Sequence, residues 1–269
     1  MFRSDDRNES HSMETGEPQF ISVGKKAGAR RIAVRKAPGQ APGLMWLSGF
    51  KSDMSGTKAE ALAGFAAREG RELVRFDYSG HGLSGGDFEN ACVSDWLEEA
   101  EAVFDRCCSG GTILVGSSMG GWIALLLALG RVETGRIKGL VLIAPAVDFT
   151  EELMWNQRFD DDIRRTILTE GRWAQPSAYD ADPYVITRKL IEDGRRHLLL
   201  AKVLHPGCPV TILQGARDPD VPAAHARRLV EALPQDDVSF SLVPDGDHRL
   251  SRVQDIDLLL RAVAEMVEP

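Results

Sequence analysis

The sequence predicts an α/β fold: a mostly parallel, eight-stranded sheet flanked by helices, with a small helical lid. Three observations predict it. From about Phe20, short apolar runs alternate with longer segments of helical spacing. The run Ile113-Leu114-Val115 leads directly into Gly116-Ser117-Ser118-Met119-Gly120, a G-x-S-x-G turn, and an apolar helical stretch through Leu129 follows it. Between Asp148 and Pro206 the alternation stops, with helical signals and no clear strand.

Taken in order, Phe20–Val23 and Ile32–Arg35 read as opening strands, and Leu44–Leu47 as a short apolar strand ending at Ser48-Gly49-Phe50. Thr57–Arg68 is Ala-rich and helical, with Gly70 as its C-terminal stop. Leu73–Phe76 is a strand ending at Asp77, and Asp95–Cys107 is a helix. Thr112–Val115 is the strand that carries the turn, and Ile137–Ile143 is a strand that stops before Pro145. In the interval, Trp155, Phe159, Ile163 and Ile167 recur every four residues, which predicts one helix closed by Gly171. Asp182-Pro183 reads as an N-cap with Pro at the first helical position, opening a second helix through about Leu199. These helices make a lid at about 148–206, the alternative being ordinary crossover helices of the core. Pro209–Leu213 and Val238–Val243 are the last strands, and Val221–Leu233 and Val253–Val267 the last helices. The expected division is a disordered extension over 1–18 and one domain over 19–269.

Composition narrows the function. With 32 basic against 40 acidic residues the net charge is −8, which argues against nucleic acid or an anionic membrane as partner. No apolar stretch approaches the length of a membrane span. The first residues are polar and lack the apolar core of a secretory signal. The four cysteines show no metal-ligand spacing, the usage of a reduced compartment, and a cytoplasmic location is expected.

The G-x-S-x-G turn predicts a nucleophile at Ser118. Such a turn needs small residues at Gly116 and Gly120, and it aims the first amides of the next helix at whatever the serine attacks. A serine nucleophile needs a base and a group that orients the base. Asp218 follows the strand Val210–Leu213 in Arg217-Asp218-Pro219-Asp220, at the sheet edge where ligands bind, and is the expected acid. Asp220 and Asp148 are the other candidates. His248 follows the strand Val238–Val243 and is the expected base. Of the other histidines, His11 lies in the tail, His197 and His205 in or beside the lid, and His225 in the first turns of a helix. His81, in a Gly-rich turn, is expected to hold that loop in place. The oxyanion needs donors, and the backbone N–H groups of Met119 and Phe50 are the candidates. Met54, Trp122, Met154 and Trp155 either line the pocket or belong to the core.

Beyond these residues, the chain resembles the α/β-hydrolase superfamily from 20 to 267. Leu47-Ser48-Gly49-Phe50 through Gly56-Thr57-Lys58-Ala59, Arg75-Phe76-Asp77-Tyr78-Ser79-Gly80, Val115 through Trp122, and Asp247-His248-Arg249 are similar to the mitochondrial abhydrolase-domain acyl-protein thioesterases, also described as mycophenolic acid acyl-glucuronide esterases. Asn156-Gln157, Gly171, Trp173, Pro176-Ser177 and Tyr179 agree as well. The resemblance implies hydrolysis of acyl thioesters and activated esters, of small molecules or acyl-proteins. It carries Ser118, Asp218 and His248 over as a triad, with no cofactor and no metal. Two positions depart from the pattern: Gln214 stands in place of His, and His81 in place of an apolar residue. The N-terminal residues do not look like a transit peptide. The rival expectations are an aminopeptidase or amidase, a cofactor-free haloperoxidase-like enzyme, and a ligand-binding protein without catalysis.

Overall fold

The computed structural model describes residues 17–25, 28–175, 184–234 and 237–268. In chain order the first half holds β1 (Gln19–Val23), β2 (Arg30–Ala37), β3 (Gln40–Leu47), α1 (Thr57–Arg68), β4 (Arg71–Phe76), α2 (Val93–Cys107), β5 (Thr112–Ser117), α3 (Met119–Leu129) and β6 (Ile137–Ile143). Then come α4 (Asp161–Glu170), β7 (Arg172–Gln175), β8 (Tyr184–Thr187) and α5 (Arg188–Gly194), followed by β9 (Val210–Gly215), α6 (Ala223–Ala232), β10 (Val238–Val243) and α7 (Val253–Val267). Eight strands form the expected sheet, in the order β1-β2-β4-β3-β5-β6-β9-β10. Only β2 runs against its neighbours; every other pairing in this sheet is parallel.

Burial on both faces explains why the central strands read as unbroken apolar runs. Side chains alternate along a strand, so each strand feeds two cores. Along β3, Met45 and Leu47 join Trp96, Phe104 and Trp122 of α2 and α3 on one face. Leu44 and Trp46 join Leu62 and Phe65 of α1 and Leu259 and Val263 of α7 on the other. In β6, Leu140 and Leu142 go one way and Val141 and Ile143 the other. Because β3, β5, β6, β9 and β10 run in the same direction, their C-terminal ends lie along one edge, and the loops there share one crevice.

The segment between β6 and β9 differs from expectation in its details. The chain first forms a wide helical segment over Thr150–Arg158, closed by a bond from the Phe159 N–H to the Met154 carbonyl at 2.9 Å. It is extended at Phe159, and α4 then starts anew because the Asp160 carboxylate accepts the Ile163 N–H at 2.8 Å. Trp155, Phe159, Ile163 and Ile167 therefore do not share one helix, although all four are buried or half-buried. Gly171, at φ +81, ends α4 as expected. The second helix starts later than expected. Tyr184–Thr187 is a strand paired antiparallel with β7, and the Thr187 hydroxyl caps α5 by accepting the Leu190 N–H. The run Tyr-Val-Ile-Thr, aromatic and β-branched, was the available signal. The residues through Gly16, together with Pro176-Ser177, Tyr179 and Asp182-Pro183, lie outside the described residues. Among the described residues, no helix is long and apolar enough to cross a membrane.

Candidate active site

Ser118 stands between β5 and α3 with φ +54 and ψ −117, a conformation that L side chains rarely adopt. Hydrogen bonds on both sides hold it there. Its N–H donates to the Ile143 carbonyl at 2.8 Å, and its carbonyl accepts from Gly121 at 2.9 Å and Ala146 at 3.1 Å. Strain of this kind, about 1–3 kcal/mol, persists only where the surroundings over-determine it. The turn is as tight as the sequence implies. A Cβ on Gly116 would stand 2.4 Å from the Gly120 carbonyl oxygen, and one on Gly120 2.0 Å from that of Leu47. The Ser118 side chain therefore projects from the sheet at its C-terminal edge.

His248 and Asp218 arrive from the two neighbouring loops. His248 Nε2 lies 3.0 Å from Ser118 Oγ, and His248 Nδ1 lies 2.8 Å from Asp218 Oδ2. A carboxylate only accepts, so Nδ1 carries the proton and Nε2 presents its lone pair to the serine hydroxyl. The two loops meet because β9 ends in glycine: a Cβ on Gly215 would fall 2.5 Å from the carbonyl oxygens of Gly246 and Asp247. Asp218 is locked in turn. Its Oδ1 accepts the backbone N–H groups of Asp220 and Val221, both at 2.8 Å. Its Oδ2 also receives Gln214 Nε2 at 3.3 Å. That amide additionally donates to the Gly215 and Val221 carbonyls, so its orientation is fixed with nitrogen inward. Gln214 is a supporting residue that the sequence flagged only as a departure. Lys58 in α1 braces the loop after His248 by donating to the Arg249 carbonyl and Ser251 Oγ, and burial lowers its ammonium to about 8.

The other candidate acids do different work. Asp148 is buried, which raises its carboxyl, and it accepts the Leu199 and Leu200 N–H groups at 2.8–2.9 Å, tying the inserted segment to the end of β6. Asp220 pairs with Arg158 at 3.2 Å. Asp218, Asp220 and His248 bring three ligand atoms within 4.8 Å of one another, the one such cluster among the described residues, but both Asp218 oxygens already accept hydrogen bonds.

Of the two expected backbone donors, one belongs to the residue that follows Ser118 and the other to the residue that follows Gly49. Met119 is the first residue of α3, where an α-helix leaves its amides without internal partners. Gly49 packs against Ser118, since a Cβ on it would lie 3.4 Å from Ser118 Cβ, and Phe50 follows it. Among the described residues no protein group takes the Phe50 N–H. The Phe50 ring is half-buried in an aromatic cluster with Phe88, Trp96, Phe149 and Tyr184, centroids 4.9–6.1 Å away. Met119, Met54, Trp122 and Met154 are core residues, and Trp155 is half-buried. His225 is buried with Nε2 on the Val147 carbonyl, and His197 bonds Ser94.

Comparison with known proteins places this arrangement. Residues 44–253 match the family described as serine aminopeptidase, S33. The human palmitoyl-protein thioesterase ABHD10, mitochondrial, is 32% identical over 238 residues, which are 88% of this chain and 76% of the human protein. The crystal structure of a putative hydrolase from Agrobacterium vitis S4 superposes with a TM-score of 0.90 at 48% identity, covering 94% of this chain and 99% of that one. The mouse alpha/beta hydrolase domain-containing protein 10 gives 0.84 at 29% identity, with the same coverage. One expectation is corrected here. The human, mouse and bovine relatives are each named as mitochondrial, which overturns the cytoplasmic location expected from cysteine usage and from the polar N-terminal residues. Reduced cysteines do not distinguish between intracellular compartments, so that inference was too narrow. With residues 44–253 matching its model, the chain belongs to the serine aminopeptidase S33 family of α/β-hydrolases.

Proposed function

We propose that this protein is a serine hydrolase of acyl thioesters and activated carboxylic esters, acting through an acyl-enzyme on Ser118. The observation that carries the reading is the unbroken chain from Ser118 Oγ through the His248 ring to Asp218, at 3.0 and 2.8 Å. His248 Nε2 takes the hydroxyl proton as Ser118 Oγ attacks the carbonyl carbon. Asp218 holds the ring in the Nδ1–H tautomer and stabilises the imidazolium. The Phe50 and Met119 N–H groups receive the oxyanion. His248 returns the proton to the leaving thiolate or alkoxide, and the acyl group stays on Ser118. Water, deprotonated by His248, then attacks the acyl-enzyme, and His248 returns that proton to Ser118 Oγ as the acyl C–O bond breaks, which releases the acid and free Ser118. The described residues between β6 and β9, 148–175 and 184–206, tied to the sheet edge through Asp148 and Arg158, act as a lid over the acyl group. Relatives named as palmitoyl-protein thioesterases support a thioester of a long acyl chain as the substrate class.

The second reading is peptide or amide hydrolysis, favoured by the description of the matched family. It requires protonation of a poor leaving group and extra positioning, whereas a thioester leaves readily. Two measurements separate the readings. A fluorophosphonate should label Ser118 and no other serine, and a purely ligand-binding protein would not react. On the same preparation, kcat/KM for an octanoyl thioester should exceed that for prolyl or alanyl anilides by about a hundredfold. Faster anilide cleavage would replace the thioesterase reading with the aminopeptidase one.

A further inference from the structure

His81 lies outside the chain of Ser118, His248 and Asp218, yet its ring is buried and both nitrogens are engaged. Nδ1 lies 3.0 Å from the Ser79 carbonyl, and Nε2 lies 3.1 Å from the Lys51 backbone nitrogen. The Lys51 N–H can only donate, so Nε2 is the acceptor and Nδ1 carries the proton. Phe88, Trp96 and Tyr78 pack edge-on around this pocket, with ring centroids 5.2–5.9 Å from that of His81.

Lys51 occupies a critical point of the loop after β3. The Ser52 N–H donates to the Gly49 carbonyl at 3.1 Å, which makes Gly49–Ser52 a turn with Phe50 and Lys51 at its corners. Lys51 has φ +58, the left-handed value that the third residue of a type II turn adopts and that usually selects glycine. In the commoner type I turn the central peptide is turned over, and the Phe50 carbonyl would replace the Lys51 N–H facing His81. The lone pair on Nε2 accepts an N–H and repels a carbonyl oxygen, so it selects the observed form. Downstream, Asp77 Oδ1 accepts the Met54 N–H at 2.7 Å and Arg75 donates to the Met54 carbonyl at 3.0 Å, so β4 and its loop hold the segment from both ends.

We propose that His81 is a positioning residue for the oxyanion site: by accepting the Lys51 N–H it anchors the Gly49–Ser52 turn, which carries Phe50 and starts at Gly49 against Ser118. The proposal rests on the reading of Phe50 as an oxyanion donor and adds to it a residue that touches neither substrate nor Ser118. Neutrality of the ring is part of the device, since a protonated Nε2 could not accept. Burial and the neighbouring Lys51 charge lower its pKa to about 4, against the Ser79 carbonyl, which raises it. The aromatic neighbours bring no charge: the Tyr78 phenol is fully buried and held neutral well above its usual range.

The test compares His81→Leu, which fills the space without an acceptor, with His81→Gln, whose amide oxygen reaches the Nε2 position. On a p-nitrophenyl octanoate substrate, His81→Leu should lower kcat by about 100-fold with KM within about twofold, the signature of a lost transition-state donor. His81→Gln should recover most of that loss. Unchanged kcat in His81→Leu, or a His81→Gln as slow as His81→Leu, overturns the proposal. A direct measurement stands even where a variant does not fold. In the wild-type protein, 15N NMR of the imidazole should show Nδ1–H with an unprotonated Nε2 from pH 5 to 8. The opposite tautomer, or a ring titrating in that range, overturns it as well. Fluorophosphonate labelling keeps the parent reading separate: an unlabelled wild-type Ser118 removes the hydrolase mechanism, whereas labelling with an indifferent His81→Leu removes only the role of His81.

Discussion

Replacing Asp218 by Asn tests the site at its most constrained point, and the geometry fixes how the amide must sit. Asp218 Oδ1 faces two backbone N–H groups at 2.8 Å. If the new NH2 pointed there, two donors would be left buried and unpaired, each at about 1–3 kcal/mol. The amide oxygen therefore takes that side, and the NH2 takes the place of Oδ2, facing Gln214 Nε2 and His248 Nδ1. Gln214 cannot turn over to accept it without losing its bonds to the Gly215 and Val221 carbonyls. His248 must then accept at Nδ1 and carry its proton on Nε2, pointed at Ser118 Oγ. That is the wrong tautomer for a base, and the expected loss is about 10⁴-fold in kcat. The assay is steady-state hydrolysis of p-nitrophenyl octanoate at pH 7.5, with Asp220→Asn as the comparison. Asp220 pairs with Arg158 near the surface, so its variant should stay within about threefold of wild type, as for other surface ion pairs of small worth. An Asp218→Asn enzyme within tenfold of wild type would refute the argument, and the reverse ranking would make Asp220 the orienting acid.

Two further outcomes follow from packing and titration. Gly120→Ala should destabilise by at least about 3 kcal/mol, because its Cβ would meet the Leu47 and Ser48 carbonyl oxygens at 2.0 and 2.6 Å and backbone cannot give way as a side chain can. Gly64→Ala, at an exposed position inside α1 with only the flexible end of Arg68 nearby, should stabilise by about 0.5–1 kcal/mol. Urea midpoints read both, and equal shifts of the same sign would contradict the clash argument. The lowered pKa of His81 gives a pH signature. Its folded value of about 4 lies below the ordinary 6.5, so its contribution is complete above pH 6.5 and is lost as the pH falls from 6.5 to 4. Wild type should therefore lose about 3 kcal/mol more than His81→Leu between pH 7 and 4. Parallel stability curves for the two would show that the ring is protonated at little cost.

Much of this molecule was determined by the chain alone, because the signals involved are local. The limits of Thr57–Arg68, Ile137–Ile143, Val238–Val243 and Val253–Val267 follow from apolar periodicity, which records which face each residue buries. The elbow was legible because G-x-S-x-G after an apolar strand serves one backbone geometry, and the placement of Asp218 and His248 after strands follows from the direction of a parallel sheet. What the tertiary structure decided depends on partners distant in sequence. The split at Phe159 was set by Asp160 capping a new helix, and β7 exists only because β8 returns to pair with it, a contact no local pattern reports. The fixed orientation of Gln214 comes from acceptors gathered around the acid loop. His81 meets the Lys51 N–H across thirty residues, at a lysine whose φ is positive. Periodicity specifies which side of an element is buried. Only the packed chain specifies which polar atom meets which, because a hydrogen bond depends on angstrom-scale positions that many distant residues set together.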